Sequence, residues 1–223
     1  MSYDNYNEGS NQSAWKIRAE SLYADRDIFH ATTDKKFPLG AQAESRDGRR
    51  WRYQQAGATP LVKALGQQAA VEAAGWVDEV QTNNPDLPIV GDKRLTVTLT
   101  TTAAKDEFVD SYLWVEEGTG EGEMYVVKSN TVGVANATTG FDIVFEIADT
   151  GGLREAYIAA ATVSIKVNPY KDVVVFPTDP TGICTGITHI AVAAESFFWG
   201  QVKDLVLSIF QSPALAVISL NQP

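Results

Sequence analysis

Alternation of polar and apolar residues along short segments is the feature that most constrains the fold of this chain. Residues 94–100 read Arg-Leu-Thr-Val-Thr-Leu-Thr, with an apolar side chain at every second position. Because successive side chains of a β-strand point to opposite faces, this segment buries one face and leaves the other to solvent or a neighbour. Such segments recur, separated by turn residues at 118–122, 149–152 and 179–182. The pattern predicts a mainly β protein: an antiparallel sandwich or barrel-like body preceded by an extended N-terminal arm.

The order of turn and strand signals divides the chain into three predicted segments. Residues 83–88, Asn-Asn-Pro-Asp-Leu-Pro, form a loop by their turn chemistry and mark a boundary. We expect an extended arm over 1–45, an anterior β and short-helix region over 46–92, with the helix over 60–74, and an antiparallel β body over 93–223. The predicted strands of the body cover residues 94–101, 111–117, 123–129, 141–147, 162–167, 172–176, 186–193, 196–202, 204–210 and 215–220.

The acidic charge of the chain is unevenly distributed. The formal net charge is -10 and the sequence pI is about 4.7. Residues 1–60 hold 9 Lys or Arg against 8 Asp or Glu, a net of +1, whereas residues 61–223 hold 9 against 20, a net of -11. Phosphate binding requires clusters of basic residues, so the acidic charge disfavours a general role as a nucleic-acid coat, and we expect no nucleic-acid partner. We interpret the near-neutral part as docked and the acidic part as exposed; an acidic surface that serves solubility is the alternative.

Cysteine usage and hydropathy favour a soluble protein held together by packing. Cys184 is the chain's one cysteine, so an internal disulfide is impossible. Apolar runs such as 173–176 are far too short to span a bilayer, and residues 1–8 lack an apolar leader region. We expect a reducing, soluble setting and no membrane partner.

The residues that carry chemistry lack the spacing of a catalytic or metal site. The loop at 118–123 is rich in glycine but lacks the Gly-Lys-Ser/Thr ending of a phosphate-binding loop, and we predict a tight hairpin there. Its glutamates, with Glu116, lack the ligand spacing of a calcium loop. His30 and His189 have no neighbouring ligands for zinc, and no nucleophile motif surrounds Cys184. We expect no catalytic residue, no metal ion and no cofactor.

A basic and aromatic cluster follows an Asp-Gly turn near residue 48. Alternation over residues 50–53 places Trp51 and Tyr53 on one face of a strand and Arg50 and Arg52 on the other. Together with Arg49, these arginines could contact an acidic protein surface, nucleic acid or a structural ion-pair partner.

Three successive aromatic residues, Phe197, Phe198 and Trp199, are the other notable cluster. On a strand they point to both faces, so one buried surface cannot cover all of them. Aromatic residues are enriched at protein interfaces, and we predict an oligomer contact for these three residues. A central strand that is buried on both faces is the alternative.

The order of several motifs resembles a group of tailed-phage virion structural proteins of the capsid cement or decoration type. The matching stretches are Asp47-Gly48-Arg49 leading to Tyr53 and Ala56-Gly57-Ala58; Gly118 to Gly122 leading to Tyr125, Val127, Ser129 and Asn130; Val167-Asn168-Pro169-Tyr170-Lys171-Asp172-Val173 to Pro177; and Phe197-Phe198-Trp199-Gly200-Gln201-Val202. The resemblance implies a capsid shell as the partner and no enzymatic activity.

These observations lead to the hypothesis of a non-enzymatic protein on the capsid surface of a virion, made in the host cytoplasm. Its expected partners are the major capsid protein and further copies of itself in a homotrimer, with no nucleic acid or membrane. The residues predicted to contact the capsid are Tyr3, Tyr6, Trp15, Arg49, Arg50, Trp51 and Arg52. A head-fibre or tail component that touches a host receptor is one alternative. A β-sandwich carbohydrate-binding module or glycan-acting enzyme is the alternative from another class.

Overall fold

The structure, a computed structural model, is mainly β. It describes residues 16–17, 28–44, 48–63, 66–70, 76–77, 79–81, 87–136, 140–158, 161–176 and 181–203. Over these residues it has no α-helix, and no helix there has the length and hydropathy needed to cross a membrane. The strands are β1 (Lys16–Ile17), β2 (Gln42–Glu44), β3 (Arg50–Gln55), β4 (Gly66–Gln68), β5 (Glu79–Gln81), β6 (Arg94–Leu99), β7 (Tyr112–Glu117), β8 (Met124–Asn130), β9 (Val134–Ala135), β10 (Phe141–Ile147), β11 (Thr162–Lys166), β12 (Val174–Val175), β13 (Cys184–Ile187) and β14 (Phe197–Lys203).

The chain forms two compact units. Unit 1 comprises residues 1–71 and 169–223, and unit 2 comprises residues 72–168. This division differs from the predicted segments at 1–45, 46–92 and 93–223. The reason is that β3, near the start of the sequence, pairs with β14, near its end. Unit 1 is therefore discontinuous in sequence and unit 2 is continuous.

The sheet of unit 1 has the order β1-β2-β3-β14-β13-β4-β12, and its pairings are antiparallel except the parallel pair β1–β2. Two apolar clusters pack within this unit. The first cluster is built on Trp51, Tyr53 and Trp199, and the second on Phe198; their other buried members are Leu39, Ala41 and Ala43 in the first, and Ala56, Leu61, Val173 and Val192 in the second. The predicted placement of aromatic residues and arginines on opposite faces of β3 is confirmed, since Trp51 and Tyr53 are buried whereas Arg50 and Arg52 are partly exposed.

Two expectations for the first 74 residues need correction. The extended arm predicted over 1–45 is part of the packed unit 1 over residues 28–44, because β2 pairs with β3 and the backbone of Thr32 bonds to that of Phe197. The helix predicted over 60–74 is wrong over the described residues, since 66–68 form β4 and pair with β13. Helix-forming composition is outweighed there by long-range sheet pairing.

The sheet of unit 2 closes on itself. Its order is β6-β5-β11-β7-β8-β10-β9, and β10 also pairs with β6, so six antiparallel strands form a barrel-like ring to which β9 is added. Alternate side chains point inward, as in β6, where Leu95, Val97 and Leu99 are buried. They pack with aromatic residues such as Phe108 and Phe145 in one continuous core. The antiparallel, barrel-like architecture predicted from alternation is thus confirmed for this unit.

The predicted strands match this ring closely. The strand at 141–147 is found at those bounds, and the predictions at 94–101, 111–117, 123–129 and 162–167 each lie within two residues of an observed strand at either end. In unit 1, the strand predicted at 172–176 is shorter, and the one predicted at 186–193 lies instead at 184–187. The predicted strands at 204–210 and 215–220 lie outside the described residues.

Gly152 provides a sharp test of packing in unit 2. Its backbone angle φ is +70°, which residues other than glycine rarely adopt. A Cβ atom at this position would also overlap the carbonyl oxygen of Gly91. We expect Gly152→Ala to lower the free energy of unfolding by at least about 2 kcal/mol. The matched control is Gly151→Ala, because nothing lies within 4 Å of a Cβ at Gly151. Urea denaturation measures both, and equal stability of the two variants would contradict the described backbone.

Candidate functional site

The arginines predicted to contact a capsid are engaged within unit 1. The Nε atom of Arg50 lies 3.3 Å from a carboxylate oxygen of Glu44. The Nη1 atom of Arg52 donates to the carbonyl oxygen of Gly40 at 2.7 Å, and its guanidinium lies 5.9 Å from the ring centroid of Tyr170. Both arginines are only partly exposed, so a partner would have to share them with these intramolecular contacts.

Trp51 contributes to the core and not to the surface. Its side chain is 1% exposed, and the guanidinium of Arg49 lies 5.1 Å from its ring centroid. The expectation that Trp51 touches a partner therefore needs correction, because the described fold leaves the ring almost no accessible area. The predicted contact residues Tyr3, Tyr6 and Trp15 lie outside the described residues.

The aromatic segment of β14 is covered by unit 1 itself. Phe197 and Trp199 lie on the face of Tyr53, whose ring centroid is 5.9 Å from that of Phe197 and 5.1 Å from that of Trp199. Phe198 points to the other face and joins the second cluster. Phe198 and Trp199 are 0% and 2% exposed. Phe198 and Trp199 therefore offer no free surface for the predicted oligomer contact, and the alternative of a central strand buried on both faces describes these two residues, whereas Phe197 is partly exposed.

His189 and Cys184, two of the candidates for chemistry in unit 1, lie in different surroundings. The Nε2 atom of His189 lies 2.6 Å from Oε1 of Gln201, and its ring meets the ring of Phe29 edge-on. Cys184 is exposed in β13. Across the part of the chain that the structure describes, no three His, Cys, Asp or Glu side chains are grouped so that they could hold a metal ion.

The glycine-rich loop between β7 and β8 is a tight hairpin, as predicted. Gly118, Gly120 and Gly122 all have positive φ, which explains the need for glycine at these positions. A Cβ atom at Gly120 would lie 2.5 Å from Cε1 of Tyr157, so the hairpin packs directly on that ring.

A carboxylate and two tyrosines meet beneath this hairpin, in what we call the Glu123 cluster (Glu123, Tyr125, Tyr157 and Arg154). The hydroxyl of Tyr157 donates to Oε2 of Glu123 at 2.8 Å, and the hydroxyl of Tyr125 donates to the same oxygen. The backbone N–H of Arg154 donates to the Tyr125 hydroxyl at 3.0 Å, while its guanidinium lies 5.1 Å from the Tyr125 ring centroid. The cluster thus ties the hairpin to residues 153–158.

Burial raises the pKa of both tyrosines in the cluster. It raises the pKa of Tyr157 far above the ordinary value of a tyrosine, and the hydrogen bonds with Tyr125 and Glu123 act in the same direction. Burial also raises the pKa of Tyr125. Both hydroxyls therefore stay protonated and donate, so the cluster is suited to holding segments together rather than to proton transfer near neutral pH.

Sequence reasoning missed this cluster. Alternation places Glu123 and Tyr125 on the same face at the start of β8, which signals a carboxylate pointing toward the core side. Nothing in the sequence indicates that Tyr157, more than thirty residues later, supplies the second hydroxyl.

Phe198→Ala tests whether the aromatic segment is core. We expect the free energy of unfolding to fall by about 3–5 kcal/mol, because the substitution leaves a cavity in a fully buried cluster. Phe29→Ala is the control, since that ring is 43% exposed. Urea denaturation and sedimentation velocity are measured together. Loss of an oligomer with unchanged monomer stability would restore the interface interpretation.

Tyr157→Phe tests the Glu123 cluster. Removal of a hydrogen bond to a carboxylate is expected to lower the free energy of unfolding by about 1.5–3 kcal/mol near neutral pH. Tyr112→Phe, on a partly exposed tyrosine of β7, is the control. Equal stability of the two variants would show that the hydrogen bond contributes nothing.

The Tyr157→Phe substitution should also change how the free energy of unfolding depends on pH in the alkaline range. Unfolded tyrosine ionises near pH 10, whereas native Tyr157 keeps its proton to a higher pH. Above about pH 10 the unfolded state binds fewer protons, so stability falls by about 1.4 kcal/mol per pH unit for this side chain. Tyr157→Phe should flatten that decline in urea titrations at pH 9–11, which bracket the ordinary tyrosine pKa of about 10.

Comparisons with family models, with curated proteins and with solved structures found no match.

Proposed function

We propose that the protein is a non-enzymatic virion structural protein that binds the outer surface of a phage capsid and cements or decorates the coat-protein lattice. The observation that carries this proposal is the separation of charge between the two units. Unit 1 contains 12 Lys or Arg and 12 Asp or Glu, a net charge of zero, and unit 2 contains 6 against 16, a net of -10. One unit suits docking on a protein surface, and the other carries the charge that repels DNA and keeps particles apart.

The internal packing of the chain supports a role in assembly. Each unit has its own apolar clusters, and the arginines of β3 already bond within unit 1. Of the side chains that were candidates for chemistry, His189 lies against Gln201 and Cys184 is exposed, and no three possible metal ligands are grouped among the described residues. In this proposal the protein acts by surface contact with a partner.

The proposed mechanism is added buried area across junctions of the coat protein. Apolar area contributes about 25 cal/mol per Å² when it is removed from water. Linked copies multiply a modest contact, because a homotrimer bound through one copy holds its other copies at a high effective concentration near further sites on the shell. In this proposal the partners are the major capsid protein and further copies of this chain in a homotrimer. Residues 1–60 lie along the coat protein, and the capsid surface is the location.

The test uses the full-length chain with the substitutions Tyr3→Ala, Tyr6→Ala and Trp15→Ala combined. Removing three aromatic side chains from the predicted docking segment should abolish co-sedimentation with coat-protein shells that lack this protein. The matched control replaces Asn5, Asn7 and Asn11 with alanine in the same segment.

The contrast between the variants decides the outcome. If the wild-type chain does not sediment with shells, the capsid assignment is wrong. If wild type and both variants sediment alike, the docking segment lies elsewhere. Electron microscopy of decorated shells adds a further check, since a cement protein occupies regular sites over the shell and a tail component occupies one vertex.

A further inference from the structure

The side chain of Gln54 crosses one strand of the unit 1 sheet to reach the next. Gln54 lies in β3, and its Nε2 atom donates a hydrogen bond to the backbone carbonyl oxygen of Thr185 in β13 at 2.7 Å. β14 runs between these two strands. Gln54 and Thr185 are 0% and 2% exposed, so this crossing lies inside the protein. A buried side chain thus connects two strands that are separated by a third.

Gly200 of β14 provides the room for the crossing. A Cβ atom at Gly200 would lie 2.3 Å from Nε2 and 2.9 Å from Cδ of Gln54. Both distances are shorter than real Cβ contacts, so a larger residue at this position would displace the amide. The hydrogen bond between Gln54 and Thr185 therefore depends on a glycine in the strand that it passes.

Thr185 is the extra residue of an irregularity in β13. Its neighbours Cys184 and Gly186 are opposite Gln68 and Gln67 of β4, so two steps along β13 match one step along β4. The extra residue of such a bulge is left out of the ladder. Its polar groups need partners elsewhere, and the Gln54 amide is the partner of its backbone carbonyl.

Two polar atoms at the crossing have no hydrogen-bond partner among the residues that the structure describes. They are the amide oxygen Oε1 of Gln54 and the hydroxyl oxygen Oγ1 of Thr185, and both are buried. A buried polar group without a hydrogen bond has lost its hydration with no compensation, which is more costly than an ordinary hydrogen bond is stabilising. In folded proteins such groups are bonded to other protein groups or to ordered water. The two atoms therefore point to a ligand inside unit 1.

The chemistry of the two atoms selects water as this ligand. An amide oxygen only accepts hydrogen bonds, whereas a threonine hydroxyl both donates and accepts. A water molecule can donate one hydrogen to Oε1 of Gln54 and use its other hydrogen or a lone pair for Oγ1 of Thr185. An ion fits poorly, because Gln54, Thr185 and Gly200 are neutral and would leave a buried charge without a counter-charge.

We propose that unit 1 holds an internal water molecule between Oε1 of Gln54 and Oγ1 of Thr185. The water continues the line of hydrogen bonds that runs from β3 over Gly200 to the bulge of β13. It holds the side chain of Thr185, as the Gln54 amide holds the backbone. The inference concerns the interior of unit 1 and is independent of the proposed capsid contact.

Thr185→Val in the full-length chain tests the water by the direction of its effect on stability. Valine has the shape of threonine without the hydroxyl. If the hydroxyl binds water, the substitution removes that hydrogen bond and leaves the water with one partner, so the urea midpoint should fall. Without the water, the substitution removes an unbonded buried hydroxyl, so the midpoint should stay unchanged or rise.

Thr188→Val is the matched control in the same unit. Thr188 is 0% exposed, and its hydroxyl donates to the carbonyl oxygen of Ile190 at 2.9 Å. Its substitution should therefore lower the urea midpoint whether or not the internal water exists. A fall for Thr185→Val in the same direction as this control supports the inference, and an unchanged or raised midpoint overturns it.

Crystal structures of the wild-type protein and of Thr185→Val complete the test. We expect density for a water molecule about 2.8 Å from both oxygen atoms in the wild type. The variant should lose this density. A wild-type structure with no water between the two side chains, or with a protein donor bonded to Oε1 of Gln54, overturns the inference. No coat-protein shell enters these measurements, so their outcome is separate from that of the capsid-binding test.

Discussion

The pairing of β3 with β14 is the interaction on which unit 1 depends. It joins residues 50–55 to residues 197–203 and sets the central strands of the sheet. Through it, Tyr53 stacks on Phe197 and packs against Trp199, so that the first apolar cluster requires two segments that are far apart in the sequence. The same register turns Phe198 to the opposite face, where it completes the second cluster. One ladder therefore organises both clusters.

Unit 2 achieves order by a different route. Its ring of six strands leaves β9 as a free edge and encloses a continuous apolar core. The partly buried Glu123 cluster connects the hairpin at 118–123 to residues 153–158, a segment that contains no strand. Satisfied polar groups of this kind specify one loop conformation, whereas an apolar contact alone tolerates several.

Prediction from the sequence succeeded best for strands whose pattern depends on residues that are close together in the chain. Alternation in residues 94–99 and 141–147 depends on side chains that succeed one another in the chain, and those strands were found. Helical composition around Gln67 and Gln68 misled the prediction, because their conformation is decided by pairing with β13, more than a hundred residues later. Periodicity correctly predicted that the side chains of Phe197, Phe198 and Trp199 point to alternate faces of a strand. The residues that cover them come from distant segments, which periodicity cannot identify.

The division of the chain into an interrupted unit and an uninterrupted one has a consequence for synthesis. All strands of unit 2 lie between residues 72 and 168, so this unit can close while the ribosome is still translating residues 169–223. β3 is made early but has to wait for β14, the last strand described, before its aromatic residues are covered. During elongation, the strands described for the acidic unit are therefore complete before the sheet of unit 1 receives β14.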